Sequence, residues 1–117
     1  MSRFLFTYGS LQPGKAPAEI APVVAKLEIV GGGFVLGTLR GLGPYPGAVL
    51  DEASGHRIPG TIYRLPEDPE VMRRLDEYEE FFPDEPERSE FLRELHPVHW
   101  EDERVEMCWV YVLNESK

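Results

Sequence analysis

The sequence predicts an α+β fold: a mainly antiparallel sheet, curled or closed, with one or two helices against it. Three observations point there. Short β-prone runs recur along the chain, separated by turn residues. One segment has clear helix start signals, so helices are few. Eleven glycines and eleven prolines among 117 residues suit a strongly bent sheet.

The elements follow in chain order. Phe4 to Leu11 is an apolar and aromatic run that stops at Gly9-Ser10. Phe4, Phe6 and Tyr8 share one face of the predicted strand, and Leu5 and Thr7 share the other. Gly9 is expected to turn the chain through backbone angles that other residues avoid. The amides of Gly9, Ser10 and Leu11 then form a candidate cradle for a small anion such as a carboxylate. The same residues also fit a buried strand followed by an ordinary turn.

Gln12 to Pro17 reads as a loop. Ala18 to Leu27 has helical spacing at Ile20, Val23, Val24 and Leu27, with Pro22 in a first turn or at a kink. Gly31-Gly32-Gly33 reads as a bend and lacks the pattern of a phosphate loop. Strands are expected over Phe34 to Leu42, with a bulge or close approach at Gly37, and over Ala48 to Asp51. Another is expected over His56 to Leu65, bulged at Pro59-Gly60. Asp68 and Pro69 open a helix that runs to about Glu80. Phe81 to Ser89 is an acidic loop. Strands near Phe91 to Trp100 and Val105 to Leu113 form a closing hairpin. One domain over residues 1–117 accommodates all of this.

Composition narrows the function. A net charge of −9 argues against nucleic acid or an anionic membrane as partner. An anionic ligand would need a local pocket rich in N–H groups. Cys108 is the only cysteine, which fits a reducing, cytoplasmic setting and reads as a buried structural thiol. The N-terminus shows no signal peptide, and no apolar run is long enough to span a membrane. His96 and His99 lie three apart on a predicted strand and point to opposite faces, which disfavours a metal site.

The helix after Asp68 carries the sharpest signal. Stepping about 100° per residue from Val71 places Tyr78, Leu75 and Met72 on one apolar arc from about −20° to about 100°. Glu79 falls near 80°, inside that arc. Arg73, Asp76, Glu77 and Glu80 fall outside it and are expected to face solvent. An unpaired carboxylate among hydrophobes costs several kcal/mol, so Glu79 needs a partner, a raised pKa or a water-filled cleft. A helix-end residue reaching back to solvent is the simpler alternative.

The ordered motifs resemble one family. Tyr8-Gly9-Ser10-Leu11, Gly43-Pro44-Tyr45-Pro46-Gly47, Gly60-Thr61-Ile62-Tyr63-Arg64-Leu65, Leu75-Asp76-Glu77-Tyr78-Glu79, Phe91-Leu92-Arg93 and Trp109-Val110-Tyr111-Val112 are similar, in this order, to segments of the γ-glutamylcyclotransferase-like (AIG2-like) family. The resemblance implies a small mixed β-barrel with flanking helices. It implies an enzyme that cyclises a γ-glutamyl compound to 5-oxoproline, with no metal and no organic cofactor. Tyr8, Gly9, Ser10 and Leu11 would bind the γ-glutamyl group, with Tyr45 and Tyr111 beside it, and Glu79 would be the catalytic acid/base. A non-catalytic binding module that keeps the pocket is the alternative. Two departures stand out: Glu80 where the family usually has Gly, and Phe91 where it usually has Tyr.

Overall fold

The computed structural model describes residues 2–41 and 46–116. These carry β1 (Phe4–Thr7), α1 (Ala21–Val24), β2 (Glu28–Arg40), β3 (Gly47–Leu50), β4 (Arg57–Arg64), α2 (Pro69–Tyr78), β5 (Phe91–Trp100) and β6 (Val105–Leu113). The strands run in the order β3-β2-β4-β1-β6-β5, and β2 also pairs with β5. That last pairing closes five strands into a barrel and leaves β3 as an extra strand on β2. All pairings are antiparallel except β1 with β6. β1 has a neighbour on each side, with Phe6 opposite Ile62 on β4 and Val110 on β6. The first strand is therefore central, as its unbroken apolar run predicts.

The period-two alternation sorts side chains into two cores. Phe6, Ile62 and Val110 pack with Val35, Val98 and Cys108 in one cluster, which fills the barrel. Leu5, Tyr63 and Tyr111, their neighbours in sequence, belong to the other. There they meet Ile20, Val23, Val24 and Leu27 from the α1 region and Val71 and Leu75 from α2. Burial pushes the Cys108 thiol up to about 11, which suits a structural thiol.

Several boundaries differ from the sequence reading. Gly31 to Gly33 is not a bend but part of β2, whose ladder with β4 slips between Ile29 and Gly31. The bulge thus lies on β2. At Pro59 and Gly60 the register runs on without a shift, Phe34 facing Pro59 and Gly33 facing Gly60. The glycines there have a packing reason. A Cβ on Gly60 would strike the Thr7 carbonyl oxygen, and one on Gly33 the His99 carbonyl oxygen. Gly37 likewise lies against the Val49 carbonyl, the close approach its place in a strand suggests.

The helix near the N-terminal loop is short, with Pro22 in its first turn. Among the described residues no helix is long and apolar enough to cross a membrane. His96 bonds Glu94 at 2.9 Å, while the His99 ring stacks on Phe34 at 4.8 Å.

Candidate active site

The end of β1, the loop after it and the last turn of α2 enclose a cavity of about 510 Å³. Tyr8, Gly9, Ser10 and Leu11 form one wall; Tyr78, Glu79 and Glu80 form another. Phe91 and Tyr111 line it from β5 and β6, and Glu19, Pro46 and Glu90 complete the lining. Five of the six residues read as substrate-binding or catalytic by number between 8 and 79 are therefore brought together here, and Tyr111 joins them. Tyr45 lies outside the described residues.

The way α2 ends sets the direction of Glu79. Asp68 starts the helix, its Oδ1 accepting the Glu70 amide at 3.0 Å, and Pro69 takes the first turn. The helix stops at Tyr78, and Glu79 is its C-cap. The Phe81 amide donates to the Asp76 carbonyl at 2.9 Å and the Glu80 amide to the Glu77 carbonyl at 3.1 Å. These paired bonds, with Glu80 at φ 57°, form a Schellman motif. It turns the chain away just after Glu79 and leaves that side chain at the barrel mouth. Glycine suits the left-handed position best, so Glu80 is a strained choice.

The Glu79 carboxylate has no hydrogen-bond or ion-pair partner among the described residues. Burial raises its pKa to about 7. A carboxylate that titrates near neutrality can both accept and return a proton.

The opposite wall is held by tyrosines. The Tyr8 hydroxyl donates to the Tyr111 carbonyl at 2.6 Å and accepts the Ala48 amide at 3.0 Å. Burial pushes the Tyr8 phenol well up; the Ala48 amide pulls the other way, and Glu79 adds to the rise. Tyr63 donates to the Leu11 carbonyl at 2.9 Å, and Ser10 and Tyr78 hydroxyls share a bond at 3.0 Å. The loop is thus tied to both the barrel and α2.

Gly9 is not in the left-handed region, which corrects the conformational reason expected for it. A Cβ there would meet nothing within 4 Å. Its use is open space at the wall, not an unusual backbone angle. Among the described residues, the amides of Gly9, Ser10 and Leu11 donate no backbone hydrogen bond.

Asp76 corrects the helical-wheel reading. Placed outside the apolar arc and expected in solvent, it is only 6% exposed. Its carboxylate takes Arg93 Nε at 2.8 Å, Arg93 Nη2 at 3.1 Å and the Tyr111 hydroxyl at 2.7 Å. Its wheel angle of about 140° is a mere 40° or so beyond Met72. β5 and β6 cover that extra strip, and no local signal in α2 could reveal it. The paired Arg93 of the Phe91-Leu92-Arg93 motif was the available clue.

Comparison with known proteins agrees with this architecture. A family model described as gamma-glutamyl cyclotransferase, AIG2-like, matches residues 5–117. No curated protein sequence matches the chain. Among solved structures, an AIG2-like protein from Mus musculus superposes with a TM-score of 0.71 at 23% identity, covering 98% of this chain and 78% of that one. YkqA from Bacillus subtilis gives 0.70 at 20% identity over 97% of this chain, which spans only 36% of YkqA. A structure titled gamma-glutamyl cyclotransferase gives 0.65 at 13% identity, covering 95% and 66%. At such identities the structural likeness speaks for the fold.

Proposed function

The chain belongs to the gamma-glutamyl cyclotransferase, AIG2-like family, and from that premise we propose that it cyclises a γ-glutamyl compound to 5-oxoproline. The observation that carries this reading is Glu79, a half-buried carboxylate with no partner among the described residues, facing the loop of Tyr8 to Leu11 across a cavity of about 510 Å³.

The substrate is a small molecule with a carboxylate and an amine at one end. Among the described residues the cavity is lined by the carboxylates of Glu19, Glu79, Glu80 and Glu90 and by no lysine or arginine. A substrate carboxylate therefore goes to the amides of Gly9, Ser10 and Leu11. The substrate's ammonium is drawn to the acidic side. Glu79 takes a proton from that nitrogen, whose lone pair then attacks the substrate's own γ-carbonyl carbon. The attacking nitrogen sheds its second surplus proton as the C–N bond to the leaving amine breaks, and Glu79 relays the two protons in turn to the departing nitrogen, giving 5-oxoproline and a released ammonium. Ring closure needs orientation and proton transfer, which this wall supplies. Tyr8 and Tyr111 complete the binding surface. We read the protein as a cytoplasmic enzyme acting on a diffusible substrate.

The test is 5-oxoproline release from a panel of γ-glutamyl amines and peptides. Glu79→Gln is expected to bind substrate and lose turnover by roughly a hundredfold or more. Glu77→Gln, on the solvent face, keeps parental turnover. Gly9→Val has room to fold but places methyl groups on the loop wall, so its binding weakens. A parent that binds γ-glutamyl compounds and releases no 5-oxoproline would be a binding module instead.

A further inference from the structure

We propose that Asp76 and Arg93 are positioning residues for this reaction, holding the Tyr111 hydroxyl as a donor turned to Asp76 and fixing the turn that carries Glu79. The proposal rests on the cyclisation reading above. It assigns a role to a buried ion pair that is not itself part of the cavity lining but bonds one lining residue, Tyr111.

The geometry is specific. Arg93 meets Asp76 through two N–H groups, at 2.8 and 3.1 Å, with side chains 16% and 9% exposed. Such a bidentate, desolvated pair fixes orientation in a way that a surface pair does not. Tyr111 has one hydroxyl proton, and Asp76 takes it at 2.7 Å. The phenolic oxygen is then an acceptor only toward anything else. Tyr111 lines the cavity, so the complementary group there is an N–H donor, which the substrate's amine supplies.

Arg93 also holds the turn after α2. Its guanidinium lies over Trp109 at 4.6 Å and Phe81 at 5.6 Å. Phe81 is two residues beyond Glu79, and its amide bonds the Asp76 carbonyl. One arginine thus grips both the side chain at the start of the Schellman turn and the ring at its end.

The pair and Glu79 meet at Tyr111, whose phenol feels the charges of Asp76, Arg93 and Glu79. Around the Glu79 carboxylate lie Tyr8 just after β1, Tyr111 on β6, Glu19 before α1, Glu90 before β5 and Glu80 next in the chain, with Asp76 three residues back in α2. Asp76 and Arg93 cancel. Removing either alone leaves a charge of known sign near Glu79, which lies three residues along the helix from Asp76.

The experiment compares Asp76→Asn, Arg93→Gln, their double variant and Tyr111→Phe with the parent. kcat and KM are read with a γ-glutamyl peptide, and Glu79 titration by carboxyl-carbon NMR. Turnover is expected to fall roughly ten- to hundredfold in each, with KM moved far less. Glu79 titration moves to lower pH in Asp76→Asn, where Arg93 is uncompensated, and to higher pH in Arg93→Gln. The double variant returns it toward the parent. Parental kcat in folded Tyr111→Phe, or both single variants shifting Glu79 the same way, would overturn the proposal. Should Asp76→Asn not fold, Tyr111→Phe leaves the ion pair whole and still decides. If the parent releases no 5-oxoproline, the reaction reading fails, and the opposed titrations separately judge the placement of Glu79.

Discussion

Helix α2 carries charged residues on two faces, and the two behave differently. On the outer face Arg73 reaches Glu70 and, at 2.9 Å, Glu77, with all three side chains more than half exposed. On the inner face Asp76 is buried against Arg93 and Tyr111, and Glu79 has no hydrogen-bond or ion-pair partner among the described residues. The residue types and the helix are the same. In water an ion pair exchanges one good environment for another and gains little. Under a barrel wall, a charge must be matched or its protonation changes. The outer-face charges stay hydrated; on the inner face one carboxylate is matched by Arg93 and the other has its protonation shifted by burial.

The largest expected break in this contrast is Asp76→Ala. It strands the buried Arg93 charge and removes the acceptor of Tyr111, and a loss of about 3–5 kcal/mol is expected in urea unfolding. A cost no greater than that of an outer-face substitution would erase the distinction between the faces.

Next comes Glu79→Gln, read as stability against pH. The Glu79 pKa is about 7 when folded, raised by burial, against about 4.3 unfolded. A raised folded value favours folding at low pH, where both states are protonated, and that contribution is lost as pH climbs through about 7. The parent should therefore lose up to about 3 kcal/mol between pH 4 and pH 8 from this group. Glu79→Gln does not, so it is expected to be the more stable protein at pH 8. Parallel stability curves for the two proteins would show that Glu79 is not desolvated.

A smaller effect is expected one residue on. Glu80 holds a left-handed conformation at φ 57° and sets a negative charge at the helix C-terminus. Glu80→Gly should raise stability by up to about 1 kcal/mol, measured as the unfolding midpoint. A drop would mean that the side chain contributes more than its strain costs. Smallest of all, Arg73→Ala is expected to leave the midpoint within error of the parent, because its partners remain hydrated.

Glu79 was legible in the sequence, and Asp76 was not, although they sit on one helix. A wheel angle near 80° lies within the arc that Val71, Leu75 and Met72 define, so local periodicity was enough. At about 140° Asp76 is buried by Arg93 and Tyr111, which are 17 and 35 residues away. The glycines show the same divide. Gly37 was recognisable as a point of close approach because it interrupts a strand pattern. Gly31 to Gly33 read as a bend because glycine has poor intrinsic strand preference, and the ladder with β4 overrides it.

What the sequence determined by itself follows from short-range regularities. Alternation in Phe4 to Tyr8 assigned Phe6 and Leu5 to opposite cores, Asp68-Pro69 located the start of α2, and ordered motifs identified the family. These depend on backbone geometry and on steric limits within a few residues. Only the tertiary structure decided that β2 and β5 close the ring, that Gly9 fronts open space, and that Tyr111 gives its proton to Asp76. Each of those depends on burial and on partners from distant elements. Desolvation is a property of the assembled surroundings, so the two carboxylates of one helix acquire different chemistry only once the barrel is folded around them.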